Sequence, residues 1–248
     1  MLSLPVFRRR DAKPVRQRRA LPLCDPMSRP LRKHKTYVYI DGFNLYYGCF
    51  RNRKRPGWNK HKWLDLQKFC DKAFPKNDIV AIKYYTADVS SRPPDNHQAD
   101  RQKAYLTALS QLDRVTIVKG HFLGPKVVRM PRCDDHGKYL NESVSVLKTE
   151  EKGSDVNLAV DLLFDCVQGR YDCAIVISND SDLLAPIKIV RSTYGKVVGW
   201  ANPHSNPSVE LAKNTDFHIR ITEAMLQECQ LSRKIQVGRS VIQKPADW

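Results

Sequence analysis

Ile175-Val176-Ile177-Ser178-Asn179-Asp180-Ser181-Asp182 decides how this chain is read. A β-branched apolar run of this kind makes a strand buried on both faces, and the polar residues behind it close the strand and open a helix. Such a strand brings no charge of its own, so the two aspartates stand on a rigid rim that solvent reaches. Tyr37-Val38-Tyr39-Ile40 repeats the device earlier in the chain and leads into Asp41-Gly42-Phe43-Asn44. A further acid, Asp155, follows Glu150-Glu151-Lys152-Gly153-Ser154 and starts a strongly apolar helix.

Working outward from these stretches, apolar periodicity predicts strands over 37–40, 79–86 and 115–122, with helices over 63–74 and 95–112 between them. On the first of these helices Leu66, Phe69, Cys70 and Ala73 share one face. The segment 123–147 mixes Gly, Pro, Cys and Asp with short apolar pairs and carries Lys126, Arg129, Arg132 and Lys138, the pattern of an inserted basic hairpin or flap. Helices over 155–167 and 182–194 then alternate with strands over 173–178 and 196–201. Pro186 falls in the early turns of its helix, where a missing N–H costs least. A helix over 207–213, a strand over 217–221, a helix over 223–231 and a polar tail from Ser232 complete the chain.

This order predicts an α/β fold with a mainly parallel sheet covered on both faces. Right-handed crossovers leave every strand C-terminus on one edge. Asp41 and Asp180 sit at such ends, and Asp155, at a helix start, belongs to the same edge.

The formal net charge is +16, and residues 1–35 hold +9 of it, with eleven Lys and Arg against Asp11 and Asp25. That segment is rich in proline and without periodicity, and it reads as a disordered basic arm, either merely solvated or able to touch nucleic acid. Met27 offers a second translation start just ahead of the folded region. The domain follows over 36–222, and 223–248 is a helix with a polar tail.

No apolar run reaches bilayer length, and Met1–Phe7 is too short for a secretory signal. The seven cysteines are scattered, odd in number and without CxxC spacing. A soluble protein of the reducing cytoplasm is expected. Cys133 and His136 have metal-like spacing, but two ligands do not make a structural zinc site, and a plain loop is the reading there.

Carboxylates gathered within a few ångströms need protons or cations to neutralise them, and all-oxygen donors select Mg²⁺ or Mn²⁺. Asp41, Asp155, Asp180 and Asp182 are the candidate metal ligands, and the same four with Asn44 are the candidate catalytic residues. Ser178 and Lys152 are placed to contact substrate, Lys152 as a partner for phosphate. The basic loop 51–62 and the flap would hold the rest of a nucleic-acid backbone, with Tyr46, Tyr47 and Trp58 available to stack bases, which points to single-stranded RNA. For Tyr46 and Tyr47 a place in the core is the stronger reading. Asp182 could equally serve as a helix cap. Asp161, six residues past Asp155 at about 100° per residue, lies well round the helix and reads as structural. His121 and His204 have no evident partner.

Three blocks, Asp41-Gly42-Phe43-Asn44, Lys152-Gly153-Ser154-Asp155-Val156 with Asp161 beyond it, and Ser178-Asn179-Asp180-Ser181-Asp182, resemble in order the three motifs of NYN domains, the PIN-like nuclease group. The resemblance spans about residues 36–222. It implies a three-layer α/β/α PIN-like sandwich and a Mg²⁺- or Mn²⁺-dependent ribonuclease site. By motif position it carries the metal-site acids to Asp41, Asp155, Asp180 and Asp182, with Asn44 as a polar group of the site.

The longer blocks around Asp41 and Asp155 are also similar to a bacterial NYN subgroup with a different role attached. That role is the NADH-using hydroxylation of 6-hydroxy-3-succinoylpyridine, a small pyridine acid of nicotine breakdown. No GxGxxG follows a strand, no flavin fingerprint is present, and no two-His-one-carboxylate spacing occurs. Phosphodiester hydrolysis is therefore the favoured reading and the NADH-dependent monooxygenase the alternative. An RNA-binding module without turnover stands third. No membrane partner is expected, and a homodimer is left open.

Overall fold

The computed structural model describes residues 33–248 except 92, 123, 125, 149 and 150. The expected basic arm falls, up to residue 32, outside the described residues.

β1 (Lys35–Asp41) runs directly into α1 (Gly42–Leu45), and after a basic loop come α2 (Leu66–Ala73), β2 (Asp78–Thr86), α3 (Gln98–Leu109) and β3 (Val115–Lys119). The chain then makes β4 (His121–Phe122), the hairpin of β5 (Lys126–Cys133) and β6 (Tyr139–Lys148), and β7 (Glu151–Lys152). Next follow α4 (Ser154–Val167), β8 (Cys173–Ile177), α5 (Leu184–Lys188), β9 (Val197–Asn202), α6 (Val209–Lys213), β10 (Phe217–Arg220) and α7 (Glu223–Glu228). A last hairpin joins β11 (Lys234–Val237) to β12 (Ser240–Gln243).

Six strands form one sheet in the order β10-β9-β8-β1-β2-β3, every neighbouring pair parallel. Side chains alternate between its faces because the strand period is two. Val38 and Ile40 of β1 and Ile175 and Ile177 of β8 pack with Leu66, Phe69, Tyr105, Leu106 and Leu226 of α2, α3 and α7. Tyr39 and Val176 point the other way, onto Leu158, Leu162, Ile187 and Leu211 of α4, α5 and α6. Each such large buried side chain contributes about 1.5–3 kcal/mol of transfer free energy. These are the expected three layers, and Leu66, Phe69, Cys70 and Ala73 are all buried as their periodicity predicts. The basic flap is the β5/β6 hairpin.

From β1 the chain builds outward through β2 and β3, then returns to β8 and builds outward on the other side. Strand order thus reverses between β1 and β8, and a crevice opens beyond the carboxyl ends of those two strands, where ligands of open α/β sheets bind.

Three expectations need correction. The strand expected over 115–122 is broken at Gly120, where an added Cβ would lie 2.6 Å from Glu151 Oε1 and Lys152 O. The break turns His121–Phe122 away from the sheet to pair with Glu151–Lys152, and this clasp delivers the start of α4 to the crevice. The helix expected over 182–194 is a 3₁₀ turn, the short α5 and a π turn over Ile189–Thr193. The tail from Ser232 is not simply polar, since Ile235, Ile242 and Trp248 return to pack on the core.

Candidate active site

Asp41 is the last residue of β1 and only 3% exposed. Its Oδ1 accepts the Asn44 N–H at 2.9 Å, capping α1, and its Oδ2 accepts the Ser178 hydroxyl at 2.9 Å. Ser178 Oγ in turn accepts the Asp180 N–H at 3.1 Å, and Asp180 Oδ1 accepts the Asp182 N–H at 2.9 Å. One hydrogen-bonded chain therefore ties the carboxyl end of β1 to that of β8. Gly42 is needed at its start, because a Cβ there would lie 2.6 Å from Tyr85 O and 2.7 Å from the Tyr84 ring.

Asp155 arrives from the third element, in the first turn of α4. The turn before it is fixed by Glu151, whose Oε1 accepts both the Ser154 N–H at 3.1 Å and the Ser154 hydroxyl at 2.7 Å. Burial and the negative charges of Asp41, Asp180, Glu151 and Asp182 push the Asp155 carboxyl up to about 6. Asp41 is also raised, by burial and then by Asp180, against the hydrogen bonds from Asn44 and Ser178 that lower it. Like charges raise a carboxyl only from nearby, so the four predicted aspartates and Glu151 share one electrostatic neighbourhood. Among the described residues, no three His, Cys, Asp or Glu side chains stand as a ready-made metal-ligating group.

Asn44 is the hub of the opposite wall. Its Oδ1 accepts the Asn179 N–H at 3.1 Å and lies 2.9 Å from His204 Nε2. An amide oxygen only accepts, so His204 carries its proton on Nε2. Burial and the Arg55 charge lower the affinity of the His204 ring for a second proton, which keeps it neutral near pH 7. Arg55, buried and stacked 4.4 Å from the Trp58 ring centroid, fixes the loop after β9 by donating to Pro203 O at 2.5 Å and His204 O at 2.9 Å. Phe43, Asn44, Tyr47, Asn179, Asp180, Ser181 and His204 line a shallow open groove along this wall.

Some assignments change. Ser178 is wholly buried and its hydroxyl is turned onto Asp41, so it orients that carboxylate and does not reach substrate. Asp180, not Asp182, caps the 3₁₀ turn, and Asp182 is exposed at the rim. Tyr47 is 52% exposed and is not core, while Tyr46 is half-buried against it. Arg55, buried and bonded to Pro203 O and His204 O, belongs to the fold rather than to the exposed part of the basic loop. Lys152 is part of the clasp, paired with His121 and exposed, three residues before Asp155. His204, read from sequence as having no evident partner, has one in Asn44, and Glu151 was not singled out from sequence. The signal for His204 was its place just past a strand end, in Asn202-Pro203-His204, on the same edge as the acids.

The sequence profile of the NYN domain matches residues 35–222. The chain is 30% identical to a protein of Pseudomonas putida named 6-hydroxy-3-succinoylpyridine 3-monooxygenase HspA, over 89% of this chain and 76% of that one. It is also similar to the crystal structure of a protein of unknown function from Vibrio parahaemolyticus, with 18% identity and a TM-score of 0.48, over 79% of this chain and 97% of that one. With the domain profile spanning most of its length, the chain belongs to the NYN domain family, in the PIN-like nuclease superfamily.

Proposed function

We propose that this protein is a metal-dependent ribonuclease that hydrolyses phosphodiester bonds of single-stranded RNA at the β1/β8 crevice. The observation that carries the reading is the meeting of acids from separate elements: Asp41 and Asp180 are linked through the Ser178 hydroxyl across the ends of β1 and β8, and Asp155 opens α4 with its carboxyl raised by burial and by the charges of Asp41, Asp180, Glu151 and Asp182. The donor set is all carboxylate oxygen, which suits Mg²⁺ or Mn²⁺. It fits an ion that keeps several waters and takes one or two of these carboxylates directly, the others meeting its waters. Asp41, Asp155, Asp180 and Asp182 would hold it. When bound, such an ion supplies acidification of a water and stabilisation of charge on the phosphodiester.

The chain's own residues do the positioning. The hydrogen bonds from Asn44 and Ser178 fix both Asp41 oxygens, so that carboxylate costs no reorganisation when substrate arrives. The His204–Asn44 contact holds the groove wall, the exposed Tyr47 ring offers a face for a base, and Lys152, exposed three residues before Asp155, would meet a phosphate. Hydrolysis forms one P–O bond from water and breaks another, with the water's proton ending on the leaving oxygen.

The name of the Pseudomonas putida relative supports a second reading, hydroxylation of 6-hydroxy-3-succinoylpyridine, for which the subgroup resemblance implies NADH. A sheet of this strand order would seat a dinucleotide in the same crevice, its pyrophosphate at the turn after β1. Here that turn is Asp41-Gly42-Phe43-Asn44, with an acid where pyrophosphate would lie. Charge repulsion weighs against NADH there.

Both assays on one preparation test the proposal. The expected result is Mn²⁺-dependent cleavage of unstructured RNA by wild type and none by Asp180→Asn. NADH and oxygen consumption with 6-hydroxy-3-succinoylpyridine, without RNA cleavage, would overturn it.

A further inference from the structure

Beside the crevice, on the other side of Phe43 and Tyr47, lies a second pocket. Phe43, Tyr46, Tyr84, Tyr105 and Trp248 form its walls. The rings are packed edge to face, Tyr84 on Tyr105 at 6.4 Å and Tyr105 on Trp248 at 5.6 Å between centroids. A cavity volume of about 70 Å³ exceeds the roughly 10–15 Å³ that one water requires and is about half of the roughly 150 Å³ that encloses a benzene, so one ring enters by its edge with the remainder in the adjoining groove, and a stack has no room.

Two cations reach this apolar space, and they differ. Arg101 is committed, paired with Asp95 and, at 3.0 Å, with Asp247. Lys62 makes no ion pair among the described residues, and its Nζ lies 6.0 Å from the Tyr46 ring centroid and 5.8 Å from that of Trp248. Burial and the charges of Arg101 and Arg51 lower the hold of Lys62 on its proton, with Asp247 and Asp95 acting the other way. The pocket continues into a wider groove lined by Arg51, Arg53, Arg55 and Arg101 as well as Asp95 and Asp247, and the excess of positive charge draws an anion toward its mouth. A half-buried ammonium against aromatic faces, with like charges for neighbours, lacks the counter-ion that buried charge requires.

We infer that this pocket binds one planar aromatic ring carrying an anionic group, the ring among the aromatic walls and the anion on Lys62. A nucleotide of an RNA strand and a free aromatic carboxylic acid share that chemistry. The site stands on its own geometry, whether or not the neighbouring acids hydrolyse RNA.

Calorimetric titration of Asp180→Asn protein without divalent ions separates binding from cleavage. Uridine 5′-monophosphate and benzoate are the two anionic probes, with uridine, benzamide and inorganic phosphate as controls. At least one anionic aromatic probe is expected to bind saturably, at least tenfold tighter than its neutral counterpart and than phosphate alone. Adding Lys62→Gln should weaken it at least tenfold and adding Lys62→Arg should largely restore it, with unchanged thermal melting of both variants. Binding of the nucleotide alone assigns the pocket to an RNA strand, and binding of benzoate alone assigns it to a small acid. Binding of neither, equal binding of the neutral controls, or indifference to Lys62→Gln overturns the inference.

Discussion

α4 carries aspartates into two different surroundings. Asp161 and Asp165, one turn apart, face the sheet, where every charge is answered. Asp165 is wholly buried, accepts the Tyr39 hydroxyl at 2.9 Å and pairs with Lys83 at 2.6 Å and Arg170 at 2.9 Å. Asp161 accepts the Tyr85 hydroxyl at 2.8 Å and lies 3.2 Å from Lys83. Asp155, two turns earlier, meets Asp41, Glu151, Asp180 and Asp182. The first group is a satisfied network, which holds helix to sheet. The second gathers like charges that the fold does not neutralise, and that difference separates a structural carboxylate from one kept for a ligand.

Removing a partner from the satisfied group should have the largest effect. Asp165→Ala leaves the buried Tyr39 hydroxyl without its acceptor and strips Lys83 of one of its two carboxylates, Asp161 remaining, a loss of about 3 kcal/mol. For a domain of this size that lowers Tm by about 10 °C, read by calorimetry. A loss under 1 kcal/mol would break the comparison. In the acidic cluster the same scan should cost activity instead. Asp180→Asn keeps a capping side chain, since Asn caps as well as Asp, so Tm should hold while RNA cleavage falls at least 100-fold, about 2.7 kcal/mol.

Much of this contrast could be read from the residues alone. The alternation of strands and helices gave the sheet, and strand ends gave Asp41 and Asp180, because buried parallel strands leave few places for an acid. Asp161 read correctly as structural from helix geometry alone. What stayed hidden depends on contacts distant in sequence. Asp165 looks like any helix acid until Lys83 and Tyr39 of two strands meet it. The break at Gly120 exists because Glu151 and Lys152 pack on it from across the hairpin. Trp248 closes the aromatic pocket from the far end of the chain. Ser178 was placed at the right rim, but burial turned its hydroxyl inward.

His204→Ala sharpens the comparison at the groove wall. It removes the contact to Asn44 Oδ1 without touching the acids, so cleavage should fall about tenfold, 1.4 kcal/mol. Mn²⁺ binding should be unchanged, and a loss of metal binding would place His204 among the ligands.

The smallest effect has the opposite sign. Asp155 holds its proton up to about pH 6 in the native state against its ordinary 3.8, so the folded state binds more protons than the unfolded chain between those values. Stability then falls as pH rises from about 4 to about 6, and the full penalty is present above. Asp155→Asn in chelator should therefore stabilise the protein at pH 8. The gain is on the order of 1 kcal/mol after discounting for solvent screening of a half-buried group, and it should vanish by pH 4. Destabilisation at pH 8 would show that Asp155 is compensated after all.

If the acids at the β1/β8 crevice wait for a cation, a Mn²⁺ titration followed by thermal melting will register its arrival. Wild type should gain Tm saturably with Mn²⁺ at pH 7.5, and the Asp41→Asn, Asp180→Asn double variant should not. A flat response in wild type, or the same rise in both proteins, would contradict the account.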